Sequence, residues 1–336
     1  MAHIPKGNAN MMARGVSGLS LVEVMVALFI GTFLITGALS IYANGYGTIQ
    51  VTARVARMQE SARYAMELLE PDIRAAGYWG ATTDTESIAE RATPADPVNI
   101  AIDNDCENNW AVHLERPIEG ADGANPYNAT CLAGSNRYVA GSDMLIVRHV
   151  ADTATATADL QAGTLYMRAD ENRGELFVGT TEPAGYAPSA GNFALIAHAY
   201  YVSPTSDFDA GLPSLRRLTL ENGPNPTVAD EELLAGAEDL QVQYGIDTDA
   251  DGSVNSYVDA DPALDYSQVM SVRVWLRMRT DQDEDGFIDN ATYTYADVSF
   301  TPSTTADPDD DRLRRILTSK TVALRNRVVE LNGGAL

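Results

Sequence analysis

The chain has 336 residues, enough for one elaborated domain or a pair, and with 45% hydrophobic residues it can bury a core. Its 47 acidic against 23 basic residues leave a net charge of −24, which argues against direct nucleic-acid binding, because an acidic surface repels the phosphate backbone, and suits a cation or a basic partner. The two cysteines, Cys106 and Cys131, fit either one disulfide in an oxidising compartment or a pair of free thiols.

Residues 1–18 form a short leader with Lys6 and Arg14 and no acidic residue. An apolar run follows over residues 19–42, whose only charge is Glu23. About 20 helical residues cross a ~30 Å hydrocarbon layer, so the run predicts one membrane-spanning helix. The basic leader places its start on the cytoplasmic side and the rest of the chain outside the inner membrane. A secretory signal is the competing reading, but its apolar core is shorter and precedes its cleavage site, whereas here the candidate cleavage residue, Gly18, comes first.

Glu23 calls for an explanation, since a carboxylate at mid-bilayer costs roughly 2.5–3.5 kcal/mol. One reading lets it reach the nearby interface. The other pairs it with the α-amine that cleavage after Gly18 would create at Leu19, on a staggered neighbouring helix.

The stretch "RGVSG" followed by "LSLVEVMVALFIG" resembles the prepilin signal of type IV pilin-like proteins: a basic leader ending in Gly, an apolar first mature residue, Glu at the fifth mature position, then a hydrophobic helix. The first mature residue is Leu19 where the family most often has Phe. The resemblance implies cleavage between Gly18 and Leu19 by prepilin peptidase, N-methylation of Leu19, pairing of Glu23 with a neighbour's amino terminus, and transfer of the helix from membrane to filament.

Over residues 43–80 the helix continues as an amphipathic second half and enters the head. Val55, Met58, Ala62, Ala65, Leu69 and Ile73 recur at spacings of three and four, with Arg54, Arg57, Gln59, Glu60, Arg63 and Glu67 on other faces. Pro71 is expected to kink or end the helix near Glu70. The stretch "RMQESARYAMELLEPDIRAAGYWG" resembles the segment of PilW minor pilins that leads into the head, and "RRILTSKTVALRNR" near the C-terminus is similar to PilW again. PilW proteins are similar in fold to the pseudopilin GspJ of type II secretion.

Residues 81–336 are expected to form a β-rich head. Residues 82–141 are rich in Asp, Asn, Gly, Pro and Ala and read as a long loop region containing both cysteines. In a head outside the inner membrane a Cys106 to Cys131 disulfide is expected, removing unfolded-state entropy worth about 3 kcal/mol. Beyond it, "DMLIVRHV", "TLYMRA", "GELFVG", "FALIAHAYYV", "LRRLTL", "LQVQYGI", "VMSVRVWLRMR" and "ATYTYADVSF" predict antiparallel strands. The fold class is therefore α+β and pilin-like: a long N-terminal helix, membrane-spanning in its first half, packed on a mainly antiparallel β head. In "VRVWLRMR", Val272, Val274, Leu276 and Met278 should face inward. Arg273, Trp275, Arg277 and Arg279 should face outward, the arginines either paired with the chain's own carboxylates or presented to another pilin.

Two acidic stretches have calcium-loop spacing. "DTDADGSVNSYVD" sets Asp247, Asp249 and Asp251 at alternate positions before Gly252, and "DQDEDGFID" sets Asp281, Asp283 and Asp285 before Gly286. The bidentate Glu of an EF-hand loop is missing, its place held by Val258 and Thr292. Asp259 or Asp289 could stand in, with main-chain oxygen from Ser253 or Phe287. A solvated acidic hairpin turn is the plain alternative. The first loop is the stronger Ca²⁺ candidate, and no organic cofactor is expected.

No enzyme is expected: the four histidines, His3, His113, His149 and His198, lack metal-site spacing, and no nucleophile elbow or phosphate loop is present. The resemblance implies a minor pilin that takes part in the initiation or tip complex of a type IV pilus. Its implied partners are prepilin peptidase, other minor pilins (PilV-, PilX-, FimU- and PilE-like), the major pilin and a large tip adhesin. It would be stored in the inner membrane by a single pass, with a periplasmic head, and would end in the pilus at the cell surface. The alternatives are a GspJ-like pseudopilin of a type II secretion system and, from another class, a membrane-anchored periplasmic Ca²⁺-dependent binding protein.

Overall fold

A computed structural model gives the fold for residues 18, 20–92, 100–106, 109–127, 137–304, 307 and 310–326. One long helix, α1 (Leu21–Ala75), is shared by two compact units, Met1–Ala53 and Arg54–Leu336. In the first unit nearly all the described helical side chains are exposed, Phe33 at 75%, and the most apolar stretch of 18 residues has a mean hydropathy of 2.3. The helix is long and apolar enough to cross a membrane.

In the second unit α1 buries one stripe. Met58, Ala62, Ala65, Met66, Leu69 and Ile73 are buried, while Arg57, Glu60, Arg63 and Glu67 face solvent, Arg63 bridging to Glu60 (2.5 Å) and Glu67 (2.7 Å). Pro71 does not end the helix at Glu70: α1 runs on to Ala75. Pro71 and Glu67 both lie on the exposed side, so the Glu67 carbonyl that loses its donor stays within reach of water. One residue on, Asp72 and Ile73 are buried and hold the last turn to the head. Asn326 Nδ2 donates to the Ala75 and Ala76 carbonyls at 3.2 and 3.1 Å, and Gly77 turns the chain away at φ 75°.

The strands are β1 (Ile88–Ala89), β2 (Ile118–Ala121), β3 (Met144–Val150), β4 (Leu165–Ala169), β5 (Gly174–Val178), β6 (Gly191–Ser203), β7 (Ser214–Glu221), β8 (Thr227–Ala235), β9 (Ala237–Ile246), β10 (Ser256–Val258), β11 (Val269–Arg279), β12 (Tyr293–Tyr295), β13 (Val298–Phe300) and β14 (Arg315–Ala323). The larger sheet runs β1-β5-β4-β6-β3-β2, with β7 on β6 and β8 on β7. A second sheet runs β10-β9-β11-β14, and β12 and β13 form a hairpin. Every strand pair is antiparallel except the two-residue pairing of β1 with β5, so the expected α+β class is found.

The larger sheet is covered on both faces. Along β6, Tyr200 and Val202 join the α1 stripe and the inner face of β9 and β11 in one core, whereas Leu195, Ala197, Ala199 and Tyr201 point the other way. There they meet Trp79, just before the region read as loop, and Ile88, Trp110, Val112, Leu114 and Tyr127 from within it. That region, expected as a long loop, contributes side chains to the second hydrophobic core and holds the short strands β1 and β2, the latter pairing with β3. Its apolar residues, the consecutive Trp110, Ala111 and Val112 among them, follow no repeat of two or of three to four, so no period marks them.

Candidate functional site

At the start of α1 the Ser20 N–H donates to Glu23 Oε2 at 2.8 Å, and the Glu23 N–H donates to Ser20 Oγ at 3.2 Å. This is a reciprocal capping box, with the carboxylate near the positive end of the helix dipole. Within a single chain, therefore, Glu23 satisfies its own helix terminus. Ser20 escaped the sequence reading, although a Ser three residues before a Glu ahead of an apolar run is the pattern that marks such a cap. Gly18 is exposed, and Leu19 lies outside the described residues.

The last turn of α1 is fastened by charge. Asp72 Oδ1 accepts from His149 Nε2 at 2.9 Å; Asp72 Oδ2 accepts from His198 Nδ1 at 2.8 Å and from the Tyr200 hydroxyl at 2.8 Å. His149 Nδ1 faces the Val150 carbonyl at 3.0 Å, so both its ring nitrogens face acceptors and both carry protons. Burial alone pushes the Asp72 carboxyl up, but the hydrogen bonds from His149 and His198 outweigh it and hold the group well below the usual carboxylate range. Burial likewise pulls His149 down, and its bond to Asp72 more than reverses this, raising it. The cluster is largely buried, His198 only partly, and it joins α1 to β3 and β6 as an anchor.

The two acidic loops differ. In the first, after β9, ligand oxygens of Asp247, Asp249 and Asp251 lie within 4.8 Å of one another. Ser253 N–H donates to Asp251 Oδ1 at 2.8 Å. Asp259 is engaged elsewhere, accepting from Gln243 Nε2 at 2.9 Å. In the second, Asp283 and Asp285 pair with Arg312 at 3.0 and 2.6 Å. Phe287 lies under the Arg314 guanidinium at 4.1 Å, and buried Asp289 accepts from the Ala291 N–H and the Tyr293 hydroxyl at 3.0 and 2.8 Å. Asp281 is exposed, and no group of the second loop converges as the first does among the described residues.

On β11 the inward residues Val272, Val274, Leu276 and Met278 are buried as the alternation requires. Arg277, expected to face outward, is buried too, because the β12–β13 hairpin covers it: its guanidinium lies 3.6 Å from the Phe300 ring centre and donates to Glu238 at 2.8 Å. Arg279 donates to the Gly211 carbonyl at 2.8 Å, and Arg273 stacks on Tyr257 at 3.8 Å. Cys106 is buried and is not a free thiol, while Cys131 lies outside the described residues.

Comparison with known families places this head. Residues 199–326, from the second half of β6 to the end of β14 and the helix-capping Asn326, match the family model of type IV pilus-assembly protein W, PilW. The match falls in the head, away from the N-terminal segments in which the resemblance is most easily read. No curated protein and no solved structure matches the chain. PilW is a family of pilus assembly and not a known enzyme family, and the single apolar helix is compatible with membrane anchoring.

Proposed function

We propose that this chain, which carries a PilW domain of type IV pilus assembly, is a minor pilin of the pilus initiation or tip complex. The apolar half of α1 is stored in the inner membrane with the head in the periplasm. Prepilin peptidase cuts between Gly18 and Leu19, the Leu19 amine is methylated, and the helix then leaves the bilayer for the filament. There it packs beside other minor pilins (PilV-, PilX-, FimU- and PilE-like) and above the major pilin, with the head, pinned by a Cys106 to Cys131 bridge, available to a large tip adhesin. What supports this reading is Glu23, the one charge in the apolar run, whose carboxylate in a lone chain is held, among the described residues, by the exchangeable Ser20. On assembly it trades that donor for a neighbour's amino terminus.

Two substitutions separate the pairing role from the cap. Glu23→Gln keeps an N3 side chain able to reach back to Ser20 but carries no charge. Glu23→Ala removes both. The expectation is that both variants insert and are cleaved, and that both are depleted from sheared filaments when N-terminal peptides are quantified by mass spectrometry. Normal incorporation of the Gln variant beside failure of the Ala variant would leave Glu23 with the cap alone and overturn the pairing.

A further inference from the structure

The loop between β9 and β10 is fastened at both ends, Asp247 N–H donating to the Gln268 carbonyl at 3.0 Å and Asn255 N–H to the Ile246 carbonyl at 2.8 Å. Asp247, the first residue past β9, is only 5% exposed. Its Oδ2 accepts from the Gly252 N–H at 2.8 Å, while its Oδ1 is buried and has no hydrogen-bond partner. A buried carboxylate oxygen left unsatisfied is costly and asks for a donor or a cation. Beside the backbone of Gly252, Ala250 and Asp251, the groups around this carboxylate are themselves acidic: Asp249 and Asp251 each bring a carboxylate oxygen within 4.8 Å of one of its own. No Arg, Lys or His among the described residues pairs with any of the three, in contrast to the Arg312 that pairs with Asp283 and Asp285 in the other loop.

We propose that this loop is a site for a single Ca²⁺ ion, with Asp247, Asp249 and Asp251 as its carboxylate ligands. The oxygens fit within the coordination shell of Ca²⁺, where opposite ligands stand about 4.6–5.2 Å apart, and the all-oxygen donor set suits a hard cation. Mg²⁺ fits less well, because it demands a tighter octahedron and sheds water reluctantly. The site is sparse. Val258 occupies the position that gives an EF-hand its bidentate carboxylate, and Asp259 is engaged by Gln243, which leaves the Ser253 carbonyl and water to complete the shell. Affinity should therefore fall at the weak end of the calcium-loop range, with Kd about 0.1–1 mM.

The ion would offset two of the three crowded charges and tie the end of β9 to the start of β10, the edge strand whose Tyr257 carries Arg273 on its face and meets Ser271 through its hydroxyl at 3.1 Å. The second acidic loop, whose Asp283 and Asp285 already pair with Arg312, serves as the internal control.

The experiment is calorimetric titration of CaCl2 into the full-length, detergent-solubilised, EGTA-stripped protein, with thermal unfolding in EGTA and in Ca²⁺ at about ten times the expected Kd. The expected result is one equivalent bound and a higher Tm with Ca²⁺. In Asp249→Asn/Asp251→Asn, whose side chains are exposed and whose fold is not at risk, affinity should drop at least about tenfold. Its Tm in EGTA should match or exceed the wild type, because the repulsion is relieved. Asp283→Asn/Asp285→Asn should bind as the wild type does. Absence of binding in the wild type, undiminished binding in the first double variant, or loss confined to the second would each overturn the proposal.

Discussion

Asp72 is where one residue decides most. It enters the head on the last turn of α1, accepts from His149, His198 and Tyr200, and forms with the doubly protonated His149 a buried ion pair. Removing one partner of such a pair leaves the other charge uncompensated, so Asp72→Asn should destabilise the head by about 3–5 kcal/mol in denaturant unfolding. The pH dependence has two limbs. His149 titrates higher when folded than when unfolded, so its contribution is complete below about pH 6.5 and is lost as pH rises through the folded value. Asp72 titrates lower when folded, so its contribution is present above about pH 4 and is lost as pH falls through the folded value. The groups facing His149 are Asp72, the Val150 carbonyl and the nearby charge of Asp152. The difference in Tm between wild type and His149→Gln, followed across pH, should be largest between these limits and shrink on the alkaline side. A difference that is flat through pH 9 would mean that His149 is neutral in the fold.

Among the elements, the contact between the second half of α1 and the inner faces of β9 and β11 carries the head. Ala62 and Ala65 are buried among Leu240, Val242, Val272 and Val274, and their small size lets the helix lie close to the sheets. Ala65→Leu should cost about 1–3 kcal/mol through overpacking. Glu67→Ala, one turn around on the solvent side, should stay within about 0.5 kcal/mol. Chemical denaturation of the two variants side by side checks both; equal costs would mean that the helix does not pack through this stripe. Strand β8 shows the complementary case: it holds its place through charge, with Arg216 bonded to Asp230 at 2.9 Å and Glu232 at 3.3 Å across from β7.

At the scale of the whole molecule, the described residues of the unit Met1–Ala53 contribute nothing to either of the two large cores, and nearly all of their apolar side chains are exposed. Burial drives folding, so a chain starting at Arg54 should fold without the apolar half of α1. Its expected behaviour is a monomer in size-exclusion chromatography without detergent, with a cooperative unfolding transition; a molten or aggregated product would show that the first unit supports the head. The net charge of −24 keeps such a head soluble and, through self-repulsion, makes neutralisation by cations stabilising.

The amino-acid sequence by itself determined the apolar helix, the buried stripe of its second half, and strands such as β3, β6 and β11, because burial along a helix or strand imprints a period that can be read directly. The alternating aspartates before Gly252 were legible because all three sit in one short loop, close in the chain as well as in space. Tertiary structure alone decided the rest. Strand β8 goes unread in the sequence, its acidic residues making sense as strand only with the arginines of β7 opposite, and β14 shows little alternation because most of its length is only half-buried at the edge of its sheet. Arg277 reads as an outward cation until the β12–β13 hairpin covers it. His149 and His198 look scattered because their partner lies far away on α1, at Asp72. In each case the stabilising partner is distant in sequence, and no local pattern encodes a partner that only folding brings near.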